Sequence, residues 1–218
     1  MRIVIAGGHG QIALRLATLL AARGDEVVGV VRNPAHVDDV AAAGASAVVL
    51  DLERADADEL AGHLTGADAV VFAAGAGPGS GAARKDTVDR AAATLLADAA
   101  SRAGVRRYLL VSAMGLDAEP DPGRGEVWVA YLRAKKAAED ALRATDLEWT
   151  ILRPGRLTDD AGTGKVTLGP SVGYGEVTRD DTAAVLAALL DTAASAGSVL
   201  ELVGGDVPVA DAVAAAVR

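Results

Sequence analysis

Cysteine is absent from this chain, aromatic residues make up only 3% of it, and its apolar runs are short. Without cysteine, disulfide bonds and thiolate chemistry are excluded. Because no apolar run reaches roughly 18 residues, we expect no membrane-spanning helix. The three histidines, His9, His36 and His63, lack the spacing of metal ligands, so no metal site is expected.

Positive charge is also scarce, because the net charge is −9 and the chain has no basic tract. Direct binding to nucleic acid or to an anionic membrane surface is therefore not expected. The N-terminal residues "MRIVIAGG" carry one Arg and a short apolar run broken by glycines, which indicates a first strand and not a signal peptide. We expect a cytoplasmic protein that acts on a small molecule as a monomer or homodimer.

What the chain does contain is a regular alternation of strand-like runs and helical patterns. The strand-like runs are unbroken and apolar, which is typical of parallel strands covered on both faces. The six runs are residues 2–7, 26–32, 46–52, 69–75, 107–113 and 148–155. They predict a doubly wound α/β fold, with a parallel sheet of six to seven strands and helices on both faces.

The C-terminal part has a different pattern. Residues 156–218 are expected to form a small cap on the substrate side of the sheet, apart from a seventh strand over 198–205. No linker or repeat separates a second domain, so residues 1–218 are predicted to form a single nucleotide-binding domain.

The first strand leads into "GGHGQIA", which has the spacing Gly-x-x-Gly-x-x-small at Gly7, Gly10 and Ala13. A tight turn of this kind lets the backbone approach a pyrophosphate, and the following helix offers free N–H groups to the phosphates. The predicted cofactor contacts here are Gly7, His9, Gly10, Gln11 and Ile12. The alternative is a glycine-rich turn that binds nothing.

The second strand ends in Arg32 and Asn33, where an NAD site usually has an acidic residue for the ribose hydroxyl. A guanidinium instead binds a 2′-phosphate through two hydrogen bonds. We therefore expect NADP as the cofactor, with NAD as the less favoured choice. His36 either adds to this site or is a surface helix residue, and the alternative for Arg32 is a solvated cation.

The next two strands end in residues suited to an adenine and to a closely packed dinucleotide. Asp51 and Leu52 follow the third strand and are predicted to hydrogen-bond and cover the adenine. Small residues follow the fourth strand, namely Ala73, Ala74 and Gly75. All of these positions lie at the carboxyl ends of strands, where open α/β sheets bind ligands.

Several motifs together resemble the atypical short-chain dehydrogenase/reductases. This family includes the flavin/biliverdin reductase B type, the NmrA-like regulators and a bacterial subgroup of epimerase or oxidoreductase type. The resemblance covers nearly the whole chain and is carried by "GGHGQIA", "VVRNP", "LDL", "VSAMG", "YLRAK" and "ILRPGRLTDDAGTGKV". It implies a Rossmann fold, NADP binding and a substrate site above the sheet.

The resemblance also implies catalytic roles for Tyr131, Lys135 and Ser112. In the family, the Tyr is the general acid/base, the Lys holds the nicotinamide ribose and lowers the Tyr pKa, and the Ser orients the substrate carbonyl. Tyr131 and Lys135 are four residues apart and share a helix face. Pro154, at the end of the sixth strand, is expected beside the nicotinamide.

The chain departs from the family pattern next to these residues. Ala113 and Met114 stand where many relatives have further serines, and Asp89 stands where an Asn usually completes a proton relay. An ionised carboxylate cannot donate a hydrogen bond, so the relay is altered or absent. Tyr131 and Lys135 therefore either catalyse or only contact the cofactor, and the Ser112 hydroxyl either orients a carbonyl or bonds to the backbone.

Other side chains near the expected nicotinamide have two interpretations. Arg153 and Arg156 either hold an anionic substrate or pair with acidic residues at 159 and 160. Trp128 and Tyr174 either line the pocket or serve in packing.

Three functions are compatible with these features. The first is an NADPH-dependent oxidoreductase that reduces a carbonyl or conjugated small molecule, with Tyr131 as the proton donor. The second is an NAD(P)-dependent epimerase, which the short segment after Pro154 favours less. The third is a non-catalytic NADP sensor of the NmrA-like kind, although such sensors commonly lack the Tyr–Lys pair.

Overall fold

A computed structural model describes residues 1–77 and 79–217. Its centre is a nine-stranded sheet with the order β11-β8-β10-β6-β5-β4-β1-β2-β3. The strands of this sheet are β1 (Arg2–Ala6), β2 (Glu26–Val31), β3 (Ser46–Val49), β4 (Ala69–Phe72), β5 (Arg107–Val111), β6 (Glu148–Pro154), β8 (Lys165–Gly169), β10 (Ser198–Gly204) and β11 (Val207–Pro208). Two further short strands, β7 (Arg156–Thr158) and β9 (Glu176–Thr178), pair with each other in a separate parallel ribbon.

Seven neighbouring strands of the main sheet run parallel, in the spatial order β3, β2, β1, β4, β5, β6 and β10. This arrangement confirms the predicted doubly wound sheet. The chain first builds outward from β1 to β3 and then returns to β4 on the other side of β1. Consecutive crossovers therefore diverge between β1 and β4. This is the position at which doubly wound sheets open a crevice for a ligand.

Helices cover both faces of the sheet. They are α1 (Gln11–Ala22), α2 (Val37–Ala42), α3 (Ala57–Leu64), α4 (Ala82–Arg84), α5 (Ala92–Ala103), α6 (Glu126–Arg143), α7 (Arg179–Leu190) and α8 (Val209–Ala216). In the part of the chain that the structure describes, we find no helix with the length and apolar character needed to cross a membrane.

Alternation along the strands produces two separate cores. In β1, Ile3 and Ile5 face the core that α1, α7 and α8 cover, whereas Val4 and Ala6 face the core beneath α3 and α5. All four are at most 1% exposed, so β1 is apolar on both sides. This burial explains why the strands are continuous apolar runs without an amphipathic pattern.

The C-terminal part contributes more to the main sheet than a cap would. The seventh strand, β10, joins it in parallel as predicted, but Lys165–Gly169 also enters the sheet as an antiparallel strand beside β10. Among its described residues, the strands β7 and β9 lie outside the main sheet. The single-domain organisation predicted for 1–218 stays a prediction.

The helical segment after β4 is not uniform. Its first part, Lys85–Ala91, is wound as a π-helix, and a regular α-helix begins only at Ala92. Single π-turns inside helices occur frequently at functional sites, because they redirect side chains that an α-helix would place elsewhere. Here the π-helix packs along α6 and brings Asp89 into the interior.

The buried guanidinium of Arg107 connects the amino ends of the central strands β5 and β6 to helix α7. Arg107, at the start of β5, is 7% exposed and donates to the carbonyl oxygens of Glu148 and Leu189 at 2.9 and 2.7 Å. It also donates to the hydroxyl groups of Thr150 and Ser195 at 2.8 and 2.7 Å. Burial lowers the pKa of Arg107. These bonds join β5, β6 and the end of α7 at one point.

We expect Arg107→Met to lower the free energy of unfolding by about 2 to 4 kcal/mol, because the buried Leu189 carbonyl and Ser195 hydroxyl lose their charged donor. Urea unfolding at constant m-value measures this. Arg106→Met is the matched control, since the Arg106 side chain is 63% exposed and surface changes of this kind usually cost less than about 0.5 kcal/mol. Equal midpoints for the two variants would contradict the assigned role of Arg107.

Candidate functional site

The turn between β1 and α1 has the geometry of a phosphate-binding loop. Gly7 has φ +83°, and a Cβ at this position would lie 2.6 Å from the Cα of Ala74. The N–H of Gly10 donates to the carbonyl of Gly7 at 2.8 Å, which closes the turn. Helix α1 then begins with no side-chain cap and no acidic residue in its first turn. Its N-terminal N–H groups, including those of Gln11 and Ile12, are therefore available to an anionic group.

A second glycine contact makes this turn possible, and the sequence motif did not identify it. Gly8 lies against Gly29 of β2, and a Cβ on Gly8 would be 2.6 Å from the Cα of Gly29. The N–H groups of Gly7 and Gly8 both donate to the carbonyl of Val30, at 3.2 and 2.9 Å. The signal that could have found it is a lone glycine inside a strand, which often marks a close backbone approach.

A cavity of about 330 Å³ opens at the divergence between β1 and β4. It is lined by ten of the predicted cofactor residues, namely Gly7, His9, Gly10, Arg32, Asn33, Asp51, Leu52, Ala73, Ala74 and Gly75. His36 also lines it, together with residues that we did not predict: Val30, Val31, Leu50, Glu53, Arg84, Val88 and Ala92. The remaining predicted cofactor residues, Gln11, Ile12, Lys135 and Pro154, lie outside its lining.

Glu53 organises the charged side of this cavity. Its carboxylate accepts hydrogen bonds from Arg32 at 2.9 Å, from Arg84 at 2.7 Å and from the Thr87 hydroxyl at 2.7 Å. The bonds from Arg84 and Thr87 hold the pKa of Glu53 below its ordinary value, so it is anionic at neutral pH. The ion pair with Arg84 links the segment after β3 to α4 across the cavity. No sequence pattern marked Glu53 or Arg84, because their pairing depends on the fold.

Two histidines stack at the mouth of the cavity. The rings of His9 and His36 are 3.6 Å apart and inclined by 10°, and Nε2 of His9 lies 2.8 Å from Oδ2 of Asp39. The phosphate-binding turn and the segment after β2 therefore meet through these two rings. Arg32 and Asn33 line the same cavity.

The second part of the site lies at the carboxyl ends of β4 and β5 and is centred on Lys135. The Lys135 ammonium is buried, donates to the carbonyl of Val111 at 3.1 Å and lies 3.3 Å from Oδ1 of Asp89. Burial lowers the pKa of Lys135, and the charge of Asp89 opposes this effect. The other oxygen of Asp89 accepts the N–H of Ala76 at 3.2 Å. With two of its three donors used, the ammonium keeps one donor without a partner in the described part of the chain.

Tyr131 lies one helical turn before Lys135 on α6. Nζ of Lys135 is 6.0 Å from the centroid of the Tyr131 ring, and Nζ of Lys85 is 5.5 Å from it. Burial, together with the charge of Asp89, raises the pKa of Tyr131. The phenol therefore stays protonated at neutral pH. It loses its proton only when the pH rises through this raised pKa.

The Ser112 hydroxyl is engaged in a buried network below Tyr131 and Lys135. It donates to Oε1 of Glu139 at 2.6 Å, and Arg153 donates to both carboxylate oxygens of Glu139 at 2.9 and 2.6 Å. Arg153 also binds Asp117 at 2.6 and 3.1 Å. Burial alone would lower the pKa of Arg153, but the hydrogen bonds to both carboxylates raise it. Glu139 was not predicted, although its position four residues after Lys135 on α6 was a usable signal.

The expected partners of the two arginines were wrong. Arg153 pairs with Glu139 and Asp117 because β6 faces α6 there, and not with Asp159 or Asp160. Arg156 pairs with Glu176 across the β7–β9 ribbon. Asp159 binds Arg179 at 2.9 Å.

The two aromatic residues that were candidates for lining the pocket lie in different surroundings. Trp128 lies against Tyr131, with ring centroids 5.5 Å apart, so it adjoins the chemical end of the site. Tyr174 is 74% exposed and lies on the surface.

A dinucleotide fits the features of this crevice. The tight glycine turn leaves no room for a side chain, the uncapped start of α1 offers N–H donors, and Arg32 and Arg84 supply positive charge at the other end. Lys135 stands where β4 and β5 end, and Tyr131 lies beside it. The structure therefore joins a nucleotide end and a chemical end along one edge of the sheet.

Comparison with known proteins agrees with this architecture. A protein-family model described as NAD(P)H-binding matches residues 7–193. The uncharacterised sugar epimerase YhfK of Bacillus subtilis is 35% identical over 97% of this chain and 98% of its own length. A Bacillus halodurans structure, named provisionally as an NAD-dependent epimerase/dehydratase, is 36% identical with a TM-score of 0.90 over 99% of both chains. The anaerobillin reductase ChuY of Escherichia coli O157:H7 is 26% identical, with a TM-score of 0.76 over 95% of this chain and 98% of its own.

We expect the Asp89–Lys135 pair to show strong energetic coupling. Asp89→Asn should destabilise the protein by about 3 kcal/mol, because it leaves a buried ammonium without its counter-ion. In combination with Lys135→Met the two losses should fall short of additivity by more than about 1 kcal/mol. Urea unfolding of the four proteins of this double-mutant cycle measures the coupling. Additivity within about 0.5 kcal/mol would show that the two groups do not interact.

Proposed function

Because the chain belongs to the NAD(P)H-binding family, we propose that it is an NADPH-dependent oxidoreductase of the atypical short-chain dehydrogenase/reductase type. It transfers hydride to a carbonyl or conjugated small molecule, with Tyr131 as the proton donor. The observation that carries this proposal is the continuity of the site. The cavity at β1 and β4 suits the adenosine and phosphates, and Tyr131 and Lys135 follow at the ends of β4 and β5.

When bound, the reduced nicotinamide supplies the hydride. Tyr131 donates its phenolic proton to the oxygen or carbon that becomes basic as the hydride arrives. The raised pKa of Tyr131 keeps that proton in place until it is needed, and an alkoxide is a stronger base than a phenolate. In the described part of the chain, the Tyr131 hydroxyl has no hydrogen-bond partner, which leaves it available to a substrate.

Lys135 and Ser112 take supporting roles in this proposal. The free donor of Lys135 holds the nicotinamide ribose, while Asp89 and the Val111 carbonyl keep the ammonium at the end of β5. The Ser112 proton is used by Glu139. Ser112 can therefore orient a substrate carbonyl only by exchanging that bond, whereas its lone pairs remain open as acceptors.

Arg32 supports the choice of NADP over NAD. It lines the nucleotide cavity at the end of β2, where a guanidinium matches a 2′-phosphate. Arg84 adds a second positive charge, while Glu53 accepts from both guanidinium groups. In this proposal a 2′-phosphate competes with Glu53 for binding to Arg32. The positive charge of Arg84 also attracts the 2′-phosphate.

A second candidate is an NADP-binding protein without catalysis. Two observations favour it, because Ser112 is bound to Glu139 and Lys135 is bound to Asp89. An epimerase that uses the same Tyr131 in a transient oxidation is a third reading, which rests on the names of two relatives. The name of a third relative, anaerobillin reductase, supports reduction.

We expect Tyr131→Phe to lower the rate of NADPH oxidation by roughly 10²- to 10⁴-fold, because the proton donor is removed. The assay uses a panel of quinones, flavins and aldehydes as acceptors. The affinity for NADPH, followed by its fluorescence on binding, should be unchanged in the same variant. If the protein binds NADPH but no acceptor gives a turnover that Tyr131→Phe loses, the non-catalytic candidate is the correct one.

We expect Arg32→Ala to weaken NADP⁺ binding by roughly 10- to 100-fold, as loss of a charge-assisted hydrogen bond costs about 1.5 to 3 kcal/mol. NAD⁺ binding should change little, since NAD⁺ has no 2′-phosphate. Isothermal titration calorimetry with both cofactors gives the ratio. Arg54→Ala is the matched control, because the Arg54 side chain is 87% exposed and removes the same charge from outside the cavity. An unchanged NADP⁺/NAD⁺ ratio in Arg32→Ala would refute the assignment.

A further inference from the structure

Most cations of this acidic chain are paired with a carboxylate. Over residues 1–77 and 79–217, the cations with no carboxylate oxygen within 4.0 Å are Lys85, Arg107, Arg124, Arg143 and Lys165. Arg107 is explained by its buried carbonyl and hydroxyl partners. Two of the others, Lys85 and Arg124, lie beside the same pair of aromatic rings.

The four side chains form a row along the start of α6. Nζ of Lys85 is 5.5 Å from the Tyr131 centroid, the Tyr131 and Trp128 centroids are 5.5 Å apart, and Cζ of Arg124 is 4.4 Å from the Trp128 centroid. Two segments far apart in the chain therefore place cations at either end of an aromatic pair. One ring of this aromatic pair, that of Tyr131, belongs to the proposed proton donor.

Two of the acidic residues near this row are neutralised by other cations. Asp86 binds Arg90 at 2.5 Å, and Asp89 binds Lys135 and the N–H of Ala76. Asp121 and Glu126 lie within three residues of Arg124, and neither has a cation within 4.0 Å in the described part of the chain. Of the two cations, Lys85 therefore has the less compensated charge.

The contacts that Lys85 does make are exchangeable. Its ammonium donates to the carbonyl of Gly77 at 3.0 Å, in a loop that is exposed. A carboxylate or phosphate oxygen makes a stronger, charge-assisted bond to an ammonium than a neutral carbonyl does. The π-helix sets the position of Lys85, which is its first residue, because the π-helix packs against α6.

We propose that Lys85 binds an acidic group of the substrate, with Arg124 adding positive charge from the other end of the row, and that the substrate is an aromatic or conjugated molecule with a carboxylate or phosphate. Its apolar part packs on Trp128 and its acidic group pairs first with Lys85, beside the Tyr131 hydroxyl. This inference rests on the proposed function for the position of the reacting group. It concerns binding, so it is tested without turnover.

The test is calorimetric titration of the NADP⁺-saturated protein with three probes of one shape. They are 2-naphthoate, 2-naphthyl phosphate and the neutral 2-naphthamide. We expect at least one anion to bind ten-fold or more tightly than the amide, and the better anion identifies which acidic group the site accepts. Equal affinity for all three would overturn the proposal.

Charge-neutral variants locate the site. Lys85→Gln should weaken the preferred anion by ten-fold or more, Arg124→Gln by a smaller factor, and both should leave 2-naphthamide unchanged. Lys165→Gln and Arg143→Gln are matched controls, since they remove the same charge from cations that are also without a carboxylate partner; Arg143 instead lies 5.8 Å from the ring of Trp149. If the controls weaken the anion as much as Lys85→Gln does, the effect is general electrostatics and the site is refuted.

The failure of this proposal is distinguishable from the failure of the proposed function. If Tyr131→Phe loses turnover but neither anion binds more tightly than the amide, only the proposed anion site is refuted. If anion binding depends on Lys85 but no acceptor is reduced, the proposed reductase function is refuted. The protein is then a ligand-binding protein.

Discussion

The chemical end of this protein depends on how one buried ammonium is compensated. Lys135 has lost almost all contact with water, so it needs a counter-ion and full hydrogen bonding. Asp89 supplies the charge, but an α-helical start to the long segment after the fourth strand would not place it there. The π-helix does, and the same carboxylate then also holds the N–H of Ala76. The loop after β4, the end of β5 and helix α6 are thereby fixed to each other through a single pair of charges.

The two ends of the crevice are built by different means. The turn at the nucleotide end is made of backbone, because Gly7 and Gly8 bring chain segments closer than any side chain allows. The chemical end is made of side chains whose charges balance one another: Asp89 against Lys135, and Glu139 against Arg153. A substitution in the glycine turn changes shape, whereas one at the chemical end changes charge and pKa.

Local signals in the sequence predicted the parallel sheet and the nucleotide turn, because apolar runs and glycine spacing act within a few residues. They also placed Tyr131 and Lys135 on one helix face, since a spacing of four is a local property. They could not predict Glu53 with Arg84, or Ser112 with Glu139, since those pairs join segments 27 or more residues apart. The π-winding at Lys85–Ala91 was also out of reach, because tertiary packing and not propensity selects it.

The last strand of the main sheet limits how copies of this chain can meet. At that edge lies β11, only Val207–Pro208 long and paired with β8 on its inner side. A two-residue strand that ends in proline offers almost no ladder of N–H donors to an incoming strand. The edge is therefore blunted against open-ended strand addition, and an assembly built on this side has to use helix surfaces and side chains instead of a continuous sheet.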